Sequence, residues 1–107
     1  MDINQQTLLK LQSLEQLYRQ GYHSSTVDAA IDKLVGIEQA HLGQELVRLE
    51  ARLHKLEAEH RLSSAEFHRL FQGGELGDEA SYFEWSAFYQ MWLATREQLH
   101  LLQLPTE

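Results

Sequence analysis

The 107-residue sequence contains no cysteine and is poor in basic side chains. The absence of cysteine excludes disulfide bonds, thiolate nucleophiles and zinc sites built on cysteine. Nine Lys and Arg stand against sixteen Asp and Glu, which gives a net charge of −7. Because nonspecific attraction to nucleic acid requires clustered Lys and Arg, no direct contact with nucleic acid is expected. An acidic surface suits a basic protein partner instead.

Long apolar runs are also absent. No run approaches the roughly 20 residues that a membrane-spanning helix needs, so no membrane partner is expected. The first six residues, MDINQQ, lack the basic and apolar regions of an export signal. These features predict a cytoplasmic protein.

The stretch from Ser25 to Leu62 has apolar residues at helical spacing and no proline. Its second half shows the heptad spacing of a packed helical seam, at Leu42, Leu46, Leu49, Leu53 and Leu56. At about 1.5 Å per residue this helix would be roughly 57 Å long, whereas a compact domain of this size has a radius of gyration of about 13 Å. Its apolar face therefore has to be covered by other helices, by a second copy or by another protein.

The sequence as a whole predicts one all-α domain over residues 1–107, with a long central helix and about four helices in total. The predicted helices cover residues 4–20, 25–62, 64–72 and 80–103. Gly21 suits the left-handed residue that ends a helix. Three serines precede an acidic residue by three positions, the spacing of a capping box, and these are Ser25, Ser63 and Ser81.

The apolar stripes of the first and last helices predict how the helices pack. The last helix repeats the four-three alternation of the long helix, at Trp85, Phe88, Trp92, Thr95, Leu99 and Leu102. We therefore expect these two helices to pack antiparallel, with the short third helix as the corner. The first helix would lie beside the other end of the long helix through a buried side formed by Leu8, Leu11, Leu14, Leu17 and Tyr18.

Three Glu-x-x-His pairs raise the alternative of a metal-binding bundle: Glu38 with His41, Glu57 with His60, and Glu97 with His100. In di-iron carboxylate bundles, two such pairs from different helices converge together with two further glutamates. Here the first two pairs lie on one helix, roughly 28 Å apart, and the two further carboxylates have no evident source. A solvated helix face accounts for the pairs, so no metal ligand and no cofactor is assigned.

Other chemical sites are not indicated, and the chain is predicted not to be an enzyme. Most serines lie at or near helix caps. The segment from Gly73 to Gly77 follows no strand and lacks the lysine of a phosphate-binding loop. Arg48, Arg52 and Lys55 share a helical face, but interleaved glutamates favour a solvated surface over a nucleic-acid site.

Large aromatic side chains follow directly on an acidic loop near the start of the last helix. They extend around more of the helix than one seam requires. Either they pack on the first and third helices, or part of the cluster faces outward between acids, as surfaces that recognise a basic partner do. The second interpretation predicts a partner-binding site made of Glu75, Asp78, Glu79, Tyr82, Glu84, Trp85, Tyr89 and Trp92.

Four short runs carry a further signal, and they cover residues 17–22, 63–67, 74–78 and 83–87 (LYRQGY, SSAEF, GELGD and FEWSA). Together they resemble a small all-helical bacterial and archaeal family associated with toxin-antitoxin gene pairs. The resemblance implies an antitoxin that binds and blocks a small toxin, such as a ribonuclease, whose active surface is basic. The chain shows no recognisable DNA-binding module, which argues against repression of its own operon. A structural homodimer is a third hypothesis, because the long helix exceeds what the other helices can cover.

Overall fold

A computed structural model describes residues 2–103 of the chain. It contains four helices, α1 (Ile3–Arg19), α2 (Ser25–His60), α3 (Ser64–Gln72) and α4 (Ala80–Leu102), and no strand within the described residues. The predicted all-α class and the long central helix are confirmed. The helix ends differ from the predicted ones by at most two residues. None of the helices within residues 2–103 is long and apolar enough to cross a membrane.

The chain divides into two compact units, Met1–Leu34 and Val35–Glu107. Unit 1 contains α1 and the start of α2. Unit 2 contains the rest of α2 together with α3 and α4. Each unit has its own set of stabilising contacts.

Unit 1 is a helical hairpin whose turn is fixed by hydrogen bonds. Gly21 has φ +93°, as predicted for the residue that ends α1. Its N–H donates to the Tyr18 carbonyl at 3.0 Å, and the Tyr22 N–H donates to the Leu17 carbonyl at 3.1 Å. These two bonds form a Schellman motif, which satisfies carbonyls at the end of the helix.

The Tyr18 hydroxyl joins the two helices of the hairpin. It donates to Asp28 Oδ1 at 2.7 Å and lies 3.0 Å from the Ser24 carbonyl. Asp28 also pairs with His23 Nε2 at 2.8 Å. The predicted cap at Ser25 is wrong by one residue, because it is the Ser24 hydroxyl that accepts the Val27 N–H at 3.3 Å.

The core of unit 2 is built around Trp85, which is 1% exposed. Its ring stacks on Phe67 with centroids 3.9 Å apart and planes 6° apart. The His60 ring also stacks on Trp85, with centroids 5.2 Å apart. Leu53 completes the buried cluster, so α2, α3 and α4 each contribute to it.

Helices α2 and α4 run antiparallel, as predicted. Gln39 Nε2 donates to the Leu102 carbonyl at 3.0 Å, and the Arg52 guanidinium lies 4.9 Å from the centre of the Phe88 ring. The stacked rings of His60 and Trp85 form the next contact toward the end of α2. Along this series of contacts, residue numbers increase in α2 and decrease in α4, so the two helices run in opposite directions.

The corner between α2 and α3 depends on a residue in an unusual backbone conformation. Arg61 has φ 52°, the only positive φ of a non-glycine residue within residues 2–103. This conformation lets the Leu62 N–H donate to the Glu57 carbonyl at 3.2 Å. Ser63 then caps α3 by accepting the Glu66 N–H at 3.2 Å, which confirms the predicted cap. The cap predicted at Ser81 is wrong, because α4 begins at Ala80 after Glu79 without a side-chain cap.

Candidate partner-binding site

The turn after α3 places the first of the predicted acidic residues. Gly74 has φ +72°, and its N–H donates to the Phe71 carbonyl at 3.1 Å. The Glu75 N–H donates to the Leu70 carbonyl at 3.0 Å, which completes a second Schellman motif. Glu75 thus has a fixed backbone and an exposed side chain.

Arg69 is the cation nearest to this turn, and it is shared between two carboxylates. It donates to Glu66 through Nε at 3.1 Å and through Nη2 at 2.6 Å. These hydrogen bonds lower the pKa of Glu66 and raise the pKa of Arg69. The distance from Arg69 Nη1 to Glu75 Oε2 is 3.9 Å. The guanidinium is therefore bound mainly to Glu66, and it compensates the charge of Glu75 only in part.

Asp78 and Glu79 follow, and both are exposed. Neither of them has an ion-pair partner within 4.0 Å among residues 2–103. Leu76 lies between Glu75 and Asp78 and packs against the core of unit 2. Because Leu76 anchors the loop, the three carboxylates are presented from an ordered backbone.

Phe83 is the large aromatic side chain that α4 exposes beside these acids. It is 57% exposed, and its ring forms a T-shaped pair with that of Phe71, with ring centroids 5.3 Å apart. We name the set Glu75, Asp78, Glu79 and Phe83 the acidic segment. It combines three exposed carboxylates with one exposed aromatic ring that contacts Phe71.

The aromatic residues named in the sequence-based site lie mostly in the core. Trp85 is buried, so the prediction that its side chain faces a partner is wrong. Tyr82 is half-buried, and its ring centroid lies 5.7 Å from those of His60 and Phe67. Tyr89 and Trp92 are half-buried too, and their rings stack at 5.8 Å. Most of this aromatic cluster is therefore packed within unit 2, on α3 as predicted and on α2 in place of the predicted first helix.

Glu84 is exposed, but it lies apart from Phe83. It lines a groove of about 650 Å³ between α2 and α4, together with Arg48, Arg52 and Lys55. Arg48 pairs with Glu45, and Arg52 covers the Phe88 ring. Glu59 lines the same groove, so Glu84 lies in a groove of mixed charge. Phe83 instead contacts Phe71 of α3, and Glu84 is therefore left out of the acidic segment.

Sequence reasoning left Phe83 out of the site, although its position carried a signal. Phe83 is two residues before Trp85, which places it about 200° around the helix from the core stripe. A large apolar residue opposite the buried face is the one that stays available to a partner. The predicted site instead included Trp85 and Trp92, although both belong to the stripe of α4 that was predicted to pack on α2.

A second groove in unit 2, of about 210 Å³, contains both polar and aromatic side chains. Trp92 lines it, and its indole Nε1 is buried without a hydrogen-bond partner among the described residues. Arg96 covers the Trp92 ring at 4.4 Å. Glu57 also lines this groove, but its Oε2 accepts the Ser64 N–H at 2.8 Å. The groove thus has one carboxylate already engaged within the fold.

The Glu-x-x-His pairs do not converge. Glu38 and His41 lie 3.8 Å apart on an exposed part of α2. Of the second pair, Glu57 is hydrogen-bonded to Ser64 and His60 stacks on Trp85. Within residues 2–103 no three His, Asp or Glu side chains gather in a way that could hold a metal ion.

The chain was compared with known proteins at the level of families, curated sequences and folds. No family model, no curated protein and no solved structure matches.

Proposed function

We propose that this chain is a non-catalytic protein-binding module that recognises a small basic protein through the acidic segment. The observation that carries the proposal is that exposed Phe83 follows Asp78 and Glu79 within five residues of the chain, and that the charges of these two acids have no counter-ion within the described residues. An aromatic anchor gains affinity when a partner buries it. Surrounding carboxylates select a partner of opposite charge and accelerate the encounter.

The distribution of charge along the chain supports this assignment. Residues 35–107 carry twelve Asp and Glu against six Lys and Arg, a net charge of −6, whereas residues 1–34 carry four against three, a net charge of −1. Nearly all of the excess negative charge therefore belongs to unit 2, which also contains the acidic segment. A field of this sign attracts basic proteins and repels acidic ones.

The class of partner is proposed from the resemblance of the sequence to a small all-helical family associated with toxin-antitoxin gene pairs. A toxin that cleaves RNA needs a basic surface to hold its substrate. An acidic antitoxin that covers this surface would compete with RNA for the same cations. We therefore propose a small basic toxin as the partner and the acidic segment as the part of the antitoxin that contacts it.

The proposal is tested by capture of the partner from the native host. Tagged full-length chain serves as bait, and captured proteins are identified by mass spectrometry. The test variants are Phe83→Ala and Asp78→Lys with Glu79→Lys. Glu97→Lys is the control, because Glu97 is also an exposed acid of α4 but lies far along the helix from the acidic segment.

We expect one small basic protein with the wild type and with the control, and its loss with both test variants. Binding of the purified pair should also weaken about tenfold in Phe83→Ala, as for an interface hot spot. Equal capture by all variants would contradict the acidic segment as the site. Capture of an acidic protein, or of none, would contradict the proposed function.

A further inference from the structure

The helical hairpin of unit 1 leaves its apolar face uncovered. Helix α1 has no buried residue, although its leucine stripe was predicted to be its buried side. That prediction is wrong for Leu8, Leu11 and Leu17, which are 54%, 50% and 41% exposed. On α2, Ile31 and Leu34 are 37% and 56% exposed. We name these five residues the hairpin face.

The hairpin face borders a groove between α1 and the start of α2. The groove has a volume of about 470 Å³, and its apolar lining comes from Leu11, Leu14, Val27 and Ile31. The hydrogen bonds of Tyr18 to Asp28 and Ser24 hold the two helices together at the turn. Glu15, Asp28 and Asp32 line the groove as well, and the first two are already paired within the hairpin, with Arg19 and His23. The groove is therefore formed in the single chain, with an apolar part bordered by carboxylates.

We propose that a second copy of this chain covers the hairpin face, so that two hairpins form an intermolecular four-helix bundle. In such a bundle each helix buries its apolar stripe against two neighbours. A two-fold axis brings the same stripe of both copies together. Aliphatic side chains dominate the face, as is common in homodimer interfaces, which are more apolar than transient ones.

The charges of unit 1 fit a second copy better than a basic partner. Residues 1–34 have a net charge of −1, so two hairpins repel each other little. Lys10, Lys33 and Asp32 have no ion-pair partner within 4.0 Å among residues 2–103. Opposite charges left unpaired in one copy can pair across a two-fold axis. The strongly acidic unit 2 offers no such balance.

The exposed area of the chain is large enough for such an interface. The accessible surface is 8383 Å², whereas a folded monomer of 12.5 kDa is expected to expose about 6,200 Å². The excess of about 2,200 Å² is larger than the roughly 800 Å² that each partner buries in a standard interface. This excess is that of the whole chain, and the hairpin face contributes to it.

Sedimentation equilibrium of the purified full chain, from about 1 to about 100 µM, tests the proposal. We expect a mass of twice 12.5 kDa for the wild type. Leu11→Glu and Leu34→Glu, one on each helix of the hairpin, should each reduce it to that of one chain. Val47→Glu is the matched control, since Val47 is 68% exposed on α2 but belongs to unit 2. It should leave the dimer intact.

Circular dichroism and tryptophan fluorescence together separate loss of the dimer from loss of folding, since helix content also reports the hairpin whereas tryptophan emission reports unit 2. Both tryptophans, Trp85 and Trp92, lie in unit 2. A monomeric Leu11→Glu or Leu34→Glu variant should keep the emission of buried Trp85. Dissociation together with lost helix content or exposed tryptophan in both variants would assign the effect to unfolding and overturn the proposal.

Three other results would also overturn it. These are a wild type of one-chain mass at the highest concentration, a mass other than two copies, and a dimer that persists in both variants. If the wild type is monomeric and Leu11→Glu abolishes its binding to a partner protein or to anionic vesicles, the hairpin face is assigned to that occupant instead. The proposal does not rest on the proposed function, because the acidic-segment variants leave the hairpin face unchanged.

Discussion

The indole Nε1 of Trp85 donates a hydrogen bond to Ser64 Oγ at 2.9 Å, and both residues are buried. Ser64 in turn donates its backbone N–H to Glu57 Oε2 at 2.8 Å. This chain of bonds runs from α4 through the start of α3 to α2. It satisfies the polar atoms that the close approach of the three helices would otherwise leave unpaired.

Replacing Ser64 with alanine should therefore destabilise unit 2. Loss of the hydroxyl leaves the buried indole N–H without an acceptor, which costs about 1 to 3 kcal/mol. Urea denaturation followed by tryptophan fluorescence measures the change in the free energy of unfolding. In a Trp85→Phe background the same substitution should cost about 1 kcal/mol less, since no donor is left unpaired. Equal costs in both backgrounds would mean that the hydrogen bond contributes no stability.

Trp85→Ala and Phe83→Ala should separate stability from partner binding. Trp85 is 1% exposed, whereas Phe83 is 57% exposed. Truncating the buried ring should cost about 3 to 5 kcal/mol of unfolding free energy. Truncating the exposed ring should cost less than about 1 kcal/mol while weakening capture of the basic partner. Denaturation and partner capture on the same two variants measure both effects, and a stable Trp85→Ala variant would contradict the assignment of Trp85 to the core.

Arg61→Gly should stabilise the corner between α2 and α3. Arg61 has φ 52°, a conformation that disfavours residues with a Cβ by about 1 to 2 kcal/mol. The greater freedom of glycine in the unfolded chain offsets part of this, so a net gain of about 0.5 to 1 kcal/mol is expected. Arg48→Gly, inside α2, is the matched control and should destabilise by about 1 kcal/mol. The midpoint of thermal unfolding should shift in opposite directions for the two variants.

Unit 1 should lose helical structure at alkaline pH because of Tyr18. Its hydroxyl donates to Asp28, and this bond raises the pKa of Tyr18 above its ordinary value of 10.0. The contribution of Tyr18 to folding is therefore fully present below about pH 10 and is lost as the pH rises through the higher folded-state pKa. Circular dichroism from about pH 8 to about pH 12 should show a loss of helix in the wild type.

Two tyrosine variants test the assignment of this alkaline step. Tyr18→Phe should be less helical at neutral pH and should lack the step. Tyr22→Phe should retain it, because Tyr22 is exposed and its hydroxyl has no hydrogen bond within the described residues. The same alkaline transition in all three proteins would assign it to another group.

Much of the fold follows from local sequence features. The heptad leucines predicted α2, Gly21 predicted the end of α1, and Ser63 predicted the start of α3, since these signals act within a few residues of the chain. The shared four-three alternation of α2 and α4 also predicted their antiparallel contact. The caps predicted at Ser25 and Ser81 are wrong, because neighbouring Ser24 and Glu79 occupy the cap positions instead.

Which apolar side chains are buried was decided by tertiary structure. The same periodicity placed Trp85 in a buried stack and left Leu11 half exposed, because a helical pattern defines a face but not what covers it. Trp85 meets α2 and α3 at once, whereas α1 meets only the start of α2 within unit 1. The sequence by itself determined four amphipathic helices and their charge. Only the tertiary structure decided that the aromatic face is satisfied within the chain while the leucine face is not.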